Sequence, residues 1–310
     1  MTSTRRHFLA TTALAAAGLA APRYLAATPT AKPRAISCNQ YTWFTFYQRD
    51  GKDWAANLDA SLAEYVQSGL TAYEPSFTQV EEVGTLAPLL KKYHLAMPSA
   101  YVNSTLHKTD DAKASITTAL AIAEAGKPLG LQVLVTNPSP LRWGGEEIKN
   151  DAELAEQAKN LNYLGAELRK RGITLAYHTH DVEMRAGARE FHHMLQATDP
   201  QNVSFCFDVH WIYRGSGNSQ LAVFDVLKLY GARTAELHVR QSVGGTWAEA
   251  FGAGDIDYPR LVSELKAMGV RPHVVLEQCI EAKSPRTLSA LEAHQQSLRN
   301  AQTVFGPLLG

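Results

Sequence analysis

The chain has 310 residues, 45% of them hydrophobic, with 30 Lys and Arg against 30 Asp and Glu. That balance excludes a disordered acidic tail, a basic nucleic-acid arm and a collagen-like fibre, and it leaves a globular protein. Length alone does not set the domain count, because an α/β barrel uses ~250 residues as one unit.

The chain starts with Ser3-Thr4-Arg5-Arg6-His7-Phe8-Leu9 and then a run of small apolar residues over 10–21. A basic start, a mildly hydrophobic middle and a tail of small residues and prolines is the layout of a twin-arginine export signal. Residues 1–30 are therefore expected to be an address read by the twin-arginine machinery, cleaved between Ala20 and Thr30, with the mature protein in the periplasm. The apolar run is shorter than the ~20 residues a bilayer core requires, so no stable membrane anchor is expected. Loss of Arg5, Arg6 and Arg23 leaves 27 cations against 30 anions, a net −3. Such a surface has no cationic excess for a phosphate backbone, and nucleic acid is not expected as a partner. Cys38, Cys206 and Cys279 form no short-spaced pair and sit in or beside apolar runs, which reads as buried free thiols.

From residue 34 onward, short apolar runs alternate with longer amphipathic ones. Strands are expected at 35–40, 71–74, 96–100, 132–136, 174–178, 203–208, 234–238 and 273–277. Helices are expected at 54–67, 110–124, 152–171, 221–230 and 259–268. Gly69, Gly130, Gly172, Gly231 and Gly269 introduce several of the strands, each placed to end the helix before it. Eight β–α units imply a parallel sheet closed into a (β/α)8 TIM barrel, one domain over 34–310. A doubly wound sheet would want a glycine-rich phosphate turn after the first strand, and Tyr41-Thr42-Trp43-Phe44 stands there instead. Segments 137–150 and 241–257 read as long loops, where active-site lids tend to lie.

The ends of the last four predicted strands carry the chemistry: Tyr177-His178-Thr179-His180-Asp181, Phe207-Asp208-Val209-His210-Trp211, Leu237-His238-Val239-Arg240 and Leu276-Glu277-Gln278. His178 to Asp208 and Asp208 to His238 are each 30 residues, and Glu277 follows after 39, one β–α unit per step. Residues at the C-terminal ends of successive barrel strands converge on one mouth. Strand periodicity then aims His178 with His180, Asp208 with His210, and His238 with Arg240 inward, and turns Tyr177, Val209 and Val239 towards the helices. Burying so many polar groups without partners costs several kcal/mol each. One divalent ion on His178, Asp208, His238 and Glu277 removes the difficulty; the donors suit Mn²⁺, Zn²⁺, Co²⁺ or Fe²⁺, with Mg²⁺ also admissible.

Glu74, before Pro75 at the end of the second strand, is expected to touch substrate or to back a ligand. Trp43, Tyr101, Trp143 and Trp211 are each able to stack on a sugar ring or simply to pack. His94, His192, His193, His273 and His294 read as structural, and His107 falls in a loop with either role open.

Tyr177-His178-Thr179-His180-Asp181-Val182-Glu183, Asp208-Val209-His210-Trp211, Leu237-His238-Val239-Arg240, Gly252-Ala253-Gly254-Asp255-Ile256-Asp257-Tyr258 and Val275-Leu276-Glu277-Gln278 together resemble the sugar phosphate isomerase/epimerase family with the xylose-isomerase-like barrel. The resemblance covers nearly all of the chain after the signal. It implies a divalent metal, often Mn²⁺, on His178, Asp208, His238 and Glu277, and a small-molecule carbohydrate as substrate. His178 stands where epimerases of the family usually present a glutamate that is also one of two opposed bases. A His there resembles the Tyr-His-x-His-Asp branch, many of whose members are lyases or dehydratases.

The expected activity is isomerisation or epimerisation of a non-phosphorylated sugar or keto-sugar through an enediolate, with elimination from a 3-keto-glycoside as the alternative. His180 is expected as the base, and Glu277 chiefly as a ligand that could also shuttle a proton. His210, Trp211 and Arg240 are expected to hold substrate hydroxyls or the developing oxyanion. A phosphodiesterase of the apurinic-endonuclease type conflicts with the −3 charge. A non-catalytic sugar-binding protein shares every feature above except turnover.

Overall fold

In the computed structural model, which describes residues 34–310, the first inward-facing strand is β1 (Ser37–Asn39). The export signal expected over 1–30 lies outside the described residues. β1 is shorter than the expected 35–40, because the Asn39 side chain accepts the Tyr41 N–H at 2.7 Å and starts α1 (Gln40–Arg49) at once. Then come α2 (Leu58–Gln67), β2 (Ala72–Glu74), β3 (Ser76–Phe77), α3 (Glu81–Tyr93), β4 (Ser99–Ser104), α4 (Thr109–Gly126), β5 (Val133–Pro138), α5 (Asp151–Lys170) and β6 (Thr174–Tyr177). The second half has α6 (Arg185–Ala197), β7 (Val203–Asp208), α7 (Val209–Gly215), α8 (Gln220–Tyr230), β8 (Thr234–Val239), the hairpin β9 (Ser242–Val243) and β10 (Thr246–Trp247), α9 (Tyr258–Ala267), β11 (His273–Leu276) and α10 (Ala290–Leu309).

The main sheet runs β2-β1-β11-β8-β7-β6-β5-β4-β3, parallel throughout. Its two ends, β2 and β3, are halves of one stave. Pro75 lies between them and has no N–H to donate, but its carbonyl accepts from Tyr101 at 2.8 Å. Ala72 bridges to Ala96, so the ring closes at eight positions as a single-domain TIM barrel. The expected strand 96–100 begins instead at Ser99, since Pro98 cannot donate and only its carbonyl joins the ladder. The helix expected from 54 begins at Leu58, where Asn57 caps the Ala60 N–H at 3.1 Å.

Side chains alternate as a period of two requires. Phe205, Phe207, Leu237, Tyr177 and Val239 join the large core between sheet and helices, whereas Val135, Ala176 and Cys206 form a small cluster inside the barrel. Small residues fill the barrel low down, and the polar set takes the space above. All three cysteines are buried and free. No helix among the described residues is long and apolar enough to cross a membrane.

Candidate active site

Each of the four candidate ligands is placed by the end of a stave: His178 just past β6, Asp208 as the last residue of β7, His238 within β8 and Glu277 just past β11. One donor atom from each lies within 4.8 Å of the others, and all four residues are buried. His238 Nδ1 is 2.7 Å from Glu277 Oε2, and His178 Nε2 is 3.3 Å from Asp208 Oδ2 and 3.9 Å from Glu277 Oε2. Two imidazoles and two carboxylates with no thiolate could hold a divalent ion of the Mn²⁺, Fe²⁺, Co²⁺, Zn²⁺ or Mg²⁺ class.

The groups behind these donors fit the same purpose. His238 Nε2 lies 3.2 Å from Glu74 Oε1 and 3.1 Å from Glu236 Oε1, which leaves Nδ1 on the ligand side. Backing of this kind sets the ring orientation and basicity of a ligand histidine. Glu74 is fully buried, and its oxygens also accept from Asn39 Nδ2 at 2.6 Å and Ser99 Oγ at 2.7 Å. Glu74 thus lies against the Nε2 side of His238, buried away from solvent. Glu236, missed in the sequence, shares its strand face with His238; the clue was the two-residue step between them.

Electrostatics divide the histidines. Burial alone lowers the His178 pKa, but its bonds to Asp208 and Glu277 reverse this and raise it. His238 behaves likewise, held well above the ordinary range against burial by the facing Glu74 and Glu277. His180 is pushed well below by burial and by the neighbouring His178. Burial would raise Glu277, yet Arg240 and His238 take it well below the usual carboxylate range. Glu74 is drawn down to about 2, its burial outweighed by His238, whereas burial and the Glu74 charge push Glu236 well above.

His180 packs 4.8 Å from the His178 ring and 5.3 Å from Trp211, and its buried Nδ1 has no partner among the described residues. The backbone of its loop is held from below. Glu183 accepts the His180 N–H at 2.7 Å and Asn137 Nδ2 at 3.0 Å, while Asn137 Nδ2 also reaches the His178 carbonyl at 3.2 Å. Arg240 is buried, with Nη2 3.0 Å from Glu277 Oε1 and Nε donating to the Glu277 carbonyl at 2.7 Å. Its guanidinium lies 4.1 Å from the Trp247 ring and 5.1 Å from the Trp211 ring.

His210 corrects the strand argument. β7 ends at Asp208, whose Oδ1 accepts the Trp211 N–H at 2.8 Å and caps α7, so His210 is the second residue of a helix. It still reaches the mouth, fully buried, with Nε2 3.0 Å from Ser242 Oγ. Of the candidate stacking residues, Tyr101 sends its hydroxyl to His178 Nδ1 at 3.4 Å, and Trp143, 54% exposed, meets the His180 ring edge-on at 5.2 Å. Trp43 is core, 4.0 Å from His294, and lies outside this group. His107 is buried, its Nδ1 has no partner among the described residues, and it does not join the four donors.

A family model described as xylose isomerase-like TIM barrel matches residues 53–301. An inosose dehydratase of Clostridium perfringens is 30% identical over 99 residues, 32% of this chain and 32% of that protein, so the match spans about a third of the curated relative. A sugar phosphate isomerase/epimerase from Parabacteroides distasonis superposes with a TM-score of 0.66 at 17% identity, covering 94% of this chain and 100% of the other. A xylose isomerase-like TIM barrel protein from Mycobacterium smegmatis, solved in complex with magnesium, gives 0.62 at 12% identity over 89% and 98% of the two chains. At these identities the structural likeness speaks for the fold.

Proposed function

The chain belongs to the xylose isomerase-like TIM barrel family, and from that premise we propose that it is a divalent-metal-dependent isomerase or epimerase of a non-phosphorylated sugar or keto-sugar. The observation that carries this reading is the His180 imidazole, whose buried Nδ1 has no partner among the described residues, set against a buried cluster of four metal-capable donors. A divalent ion on His178, Asp208, His238 and Glu277 would polarise a substrate carbonyl and stabilise the negative charge that develops there.

His180 would take the proton from the carbon beside the carbonyl, which would give an enediolate. Glu277 is bound up with His238, His178 and Arg240, so it serves chiefly to hold the ion and is a poor base. Arg240 and His180 both pack on Trp211, at 5.1 and 5.3 Å, and with His210 these side chains would meet the sugar oxygens. The guanidiniums of Arg240 and Arg214 are paired with Glu277 and Glu281, which favours a sugar without a phosphate. One base serving one face makes proton transfer between neighbouring carbons easier than exchange between opposite faces.

The shared segment with inosose dehydratase favours a second reading, in which the same enediolate expels a β-substituent. Metal-loaded protein incubated with free and 3-keto sugars in deuterated buffer, with products followed by NMR, separates the two. Deuterium beside the carbonyl with no leaving group supports isomerisation or epimerisation, and an unsaturated or shortened product supports elimination. Binding without exchange or turnover for every sugar refutes both and leaves a sugar-binding protein. His180→Ala is expected to abolish exchange.

Residues 1–30 support export to the periplasm by the twin-arginine route. A reporter fused behind them should be exported, and the R5K/R6K pair should retain it in the cytoplasm.

A further inference from the structure

Asp255 closes the β9–β10 hairpin from outside. Its Oδ1 accepts the Gly244 N–H at 2.9 Å, and its Oδ2 accepts the Gly245 N–H at 2.8 Å and the Ser242 hydroxyl at 2.7 Å. Burial would raise this carboxyl, but the three donors hold it below the usual range, and an ionised carboxylate only accepts. The single hydroxyl proton of Ser242 is therefore committed to Asp255. What faces the remaining lone pairs of Ser242 Oγ, at 3.0 Å, is His210 Nε2, and that contact is a hydrogen bond only when Nε2 carries a proton.

His210 is fully buried, bonds to no carboxylate among the described residues, and has no acceptor beside Nδ1 to hold a second proton. With its one proton on Nε2, Nδ1 is left as a bare acceptor. That atom is buried and has no partner among the described residues. A polar atom hidden in this way is costly unless a ligand completes it.

We infer that Asp255 and Ser242 form a relay that locks His210 in the Nε2–H tautomer, so that Nδ1 receives one hydroxyl of the bound sugar. Asp255 and Ser242 are positioning residues, and His210 is the group that touches substrate. The surroundings carry the complementary half. Arg240 Nη1, Trp211 Nε1 and Trp247 Nε1 can only donate, and they too are buried without partners. The Trp247 ring lies 6.0 Å from the His210 ring and beneath the Arg240 guanidinium. One acceptor among several donors suits a hydroxyl set next to a carbonyl, with the hydroxyl proton directed to His210 and the other oxygens to the donors. The hydroxyl contact rests on the proposed sugar chemistry, whereas the tautomer does not.

The test is long-range ¹H–¹⁵N correlation NMR of histidine-labelled, Mg²⁺-loaded full-length protein, with His210→Gln used only to identify the resonances. The expected result is the Nε2–H tautomer in the wild type and its loss to a mixture in Ser242→Ala and in Asp255→Asn. A protonated ring, an Nδ1–H tautomer, or an unchanged tautomer in both folded variants overturns the relay. In the deuterium-exchange assay, Ser242→Ala should lower kcat/KM about tenfold, the scale of one hydrogen bond. For the one singly deoxygenated sugar that lacks the contacting hydroxyl, Ser242→Ala should have no further effect; an equal loss for every analogue overturns the contact. If no sugar exchanges deuterium, the proposed chemistry and the hydroxyl contact fall together, and the spectra decide the relay separately.

Discussion

Binding of a divalent ion by His178, Asp208, His238 and Glu277 is expected to release protons, and their number follows from the electrostatics of the metal-free site. The pKa values of His178 and His238 are both raised, because their carboxylate partners outweigh burial, so both rings are charged in the metal-free protein near pH 6. A histidine binds metal only when neutral, and two protons must therefore leave. Each displaced proton weakens binding tenfold per pH unit, about 1.4 kcal/mol, and two make it about a hundredfold per unit wherever both rings are charged. The sign for stability is opposite in the two forms. A raised histidine pKa stabilises the metal-free fold fully below the ordinary value of about 6.5, and this contribution is lost as pH rises through the raised values. Metal binding tightens over the same interval, so the gap between loaded and metal-free Tm should widen from about pH 6 to about pH 8. At a metal concentration one hundred times Kd the stabilisation is about 2.7 kcal/mol. An unfolding entropy of ~2.1 cal/mol/K per residue over a barrel of ~280 residues converts this to a rise of about 5 °C. Calorimetry in buffers of contrasting ionisation enthalpy counts the protons, and thermal melts give the gap. Affinity that stays flat between about pH 6 and about pH 7, with fewer than one proton released, would refute the reasoning.

Three further outcomes are expected. Glu74→Gln keeps the shape but removes the charge behind His238, and metal affinity measured by calorimetry should fall about tenfold with the fold intact. Glu183→Ala leaves the His180 N–H without its acceptor and Asn137 Nδ2 with the His178 carbonyl alone; a denaturant melt should show a loss of about 2 kcal/mol, and wild-type stability would remove Glu183 from the support of that loop. Gly165→Ala would put a Cβ 2.1 Å from the Asn202 carbonyl oxygen, so α5 must shift off the turn before β7, at a cost of about 3 kcal/mol readable as a Tm drop of about 5 °C.

The alternation of runs along the chain was enough to read the barrel, because a strand repeats every two residues and a helix every 3.6 whatever surrounds them. The same local rule turned Tyr177 and Val239 towards the helices and Asp208 and His238 inward, and it put the four donors at the ends of successive strands. Where a second local preference competed, the rule failed. Asn39 caps α1 and cuts its strand short, Asp208 caps α7 and puts His210 on a helix, and Pro75 and Pro98 withhold a donor from the ladder. α1, rich in aromatics, and α3, with Pro88 inside it, resemble neither period cleanly.

Sequence by itself therefore determined the element type, the eight-fold order and the identity of the residues at the mouth. Tertiary structure alone decided that Glu74 and Glu236 meet behind His238, that Arg240 bonds to Glu277, and that Asp255 reaches His210 through Ser242. Those contacts join side chains from different staves, helices and loops. They depend on closure, register and helix starts, quantities that no short stretch of chain contains.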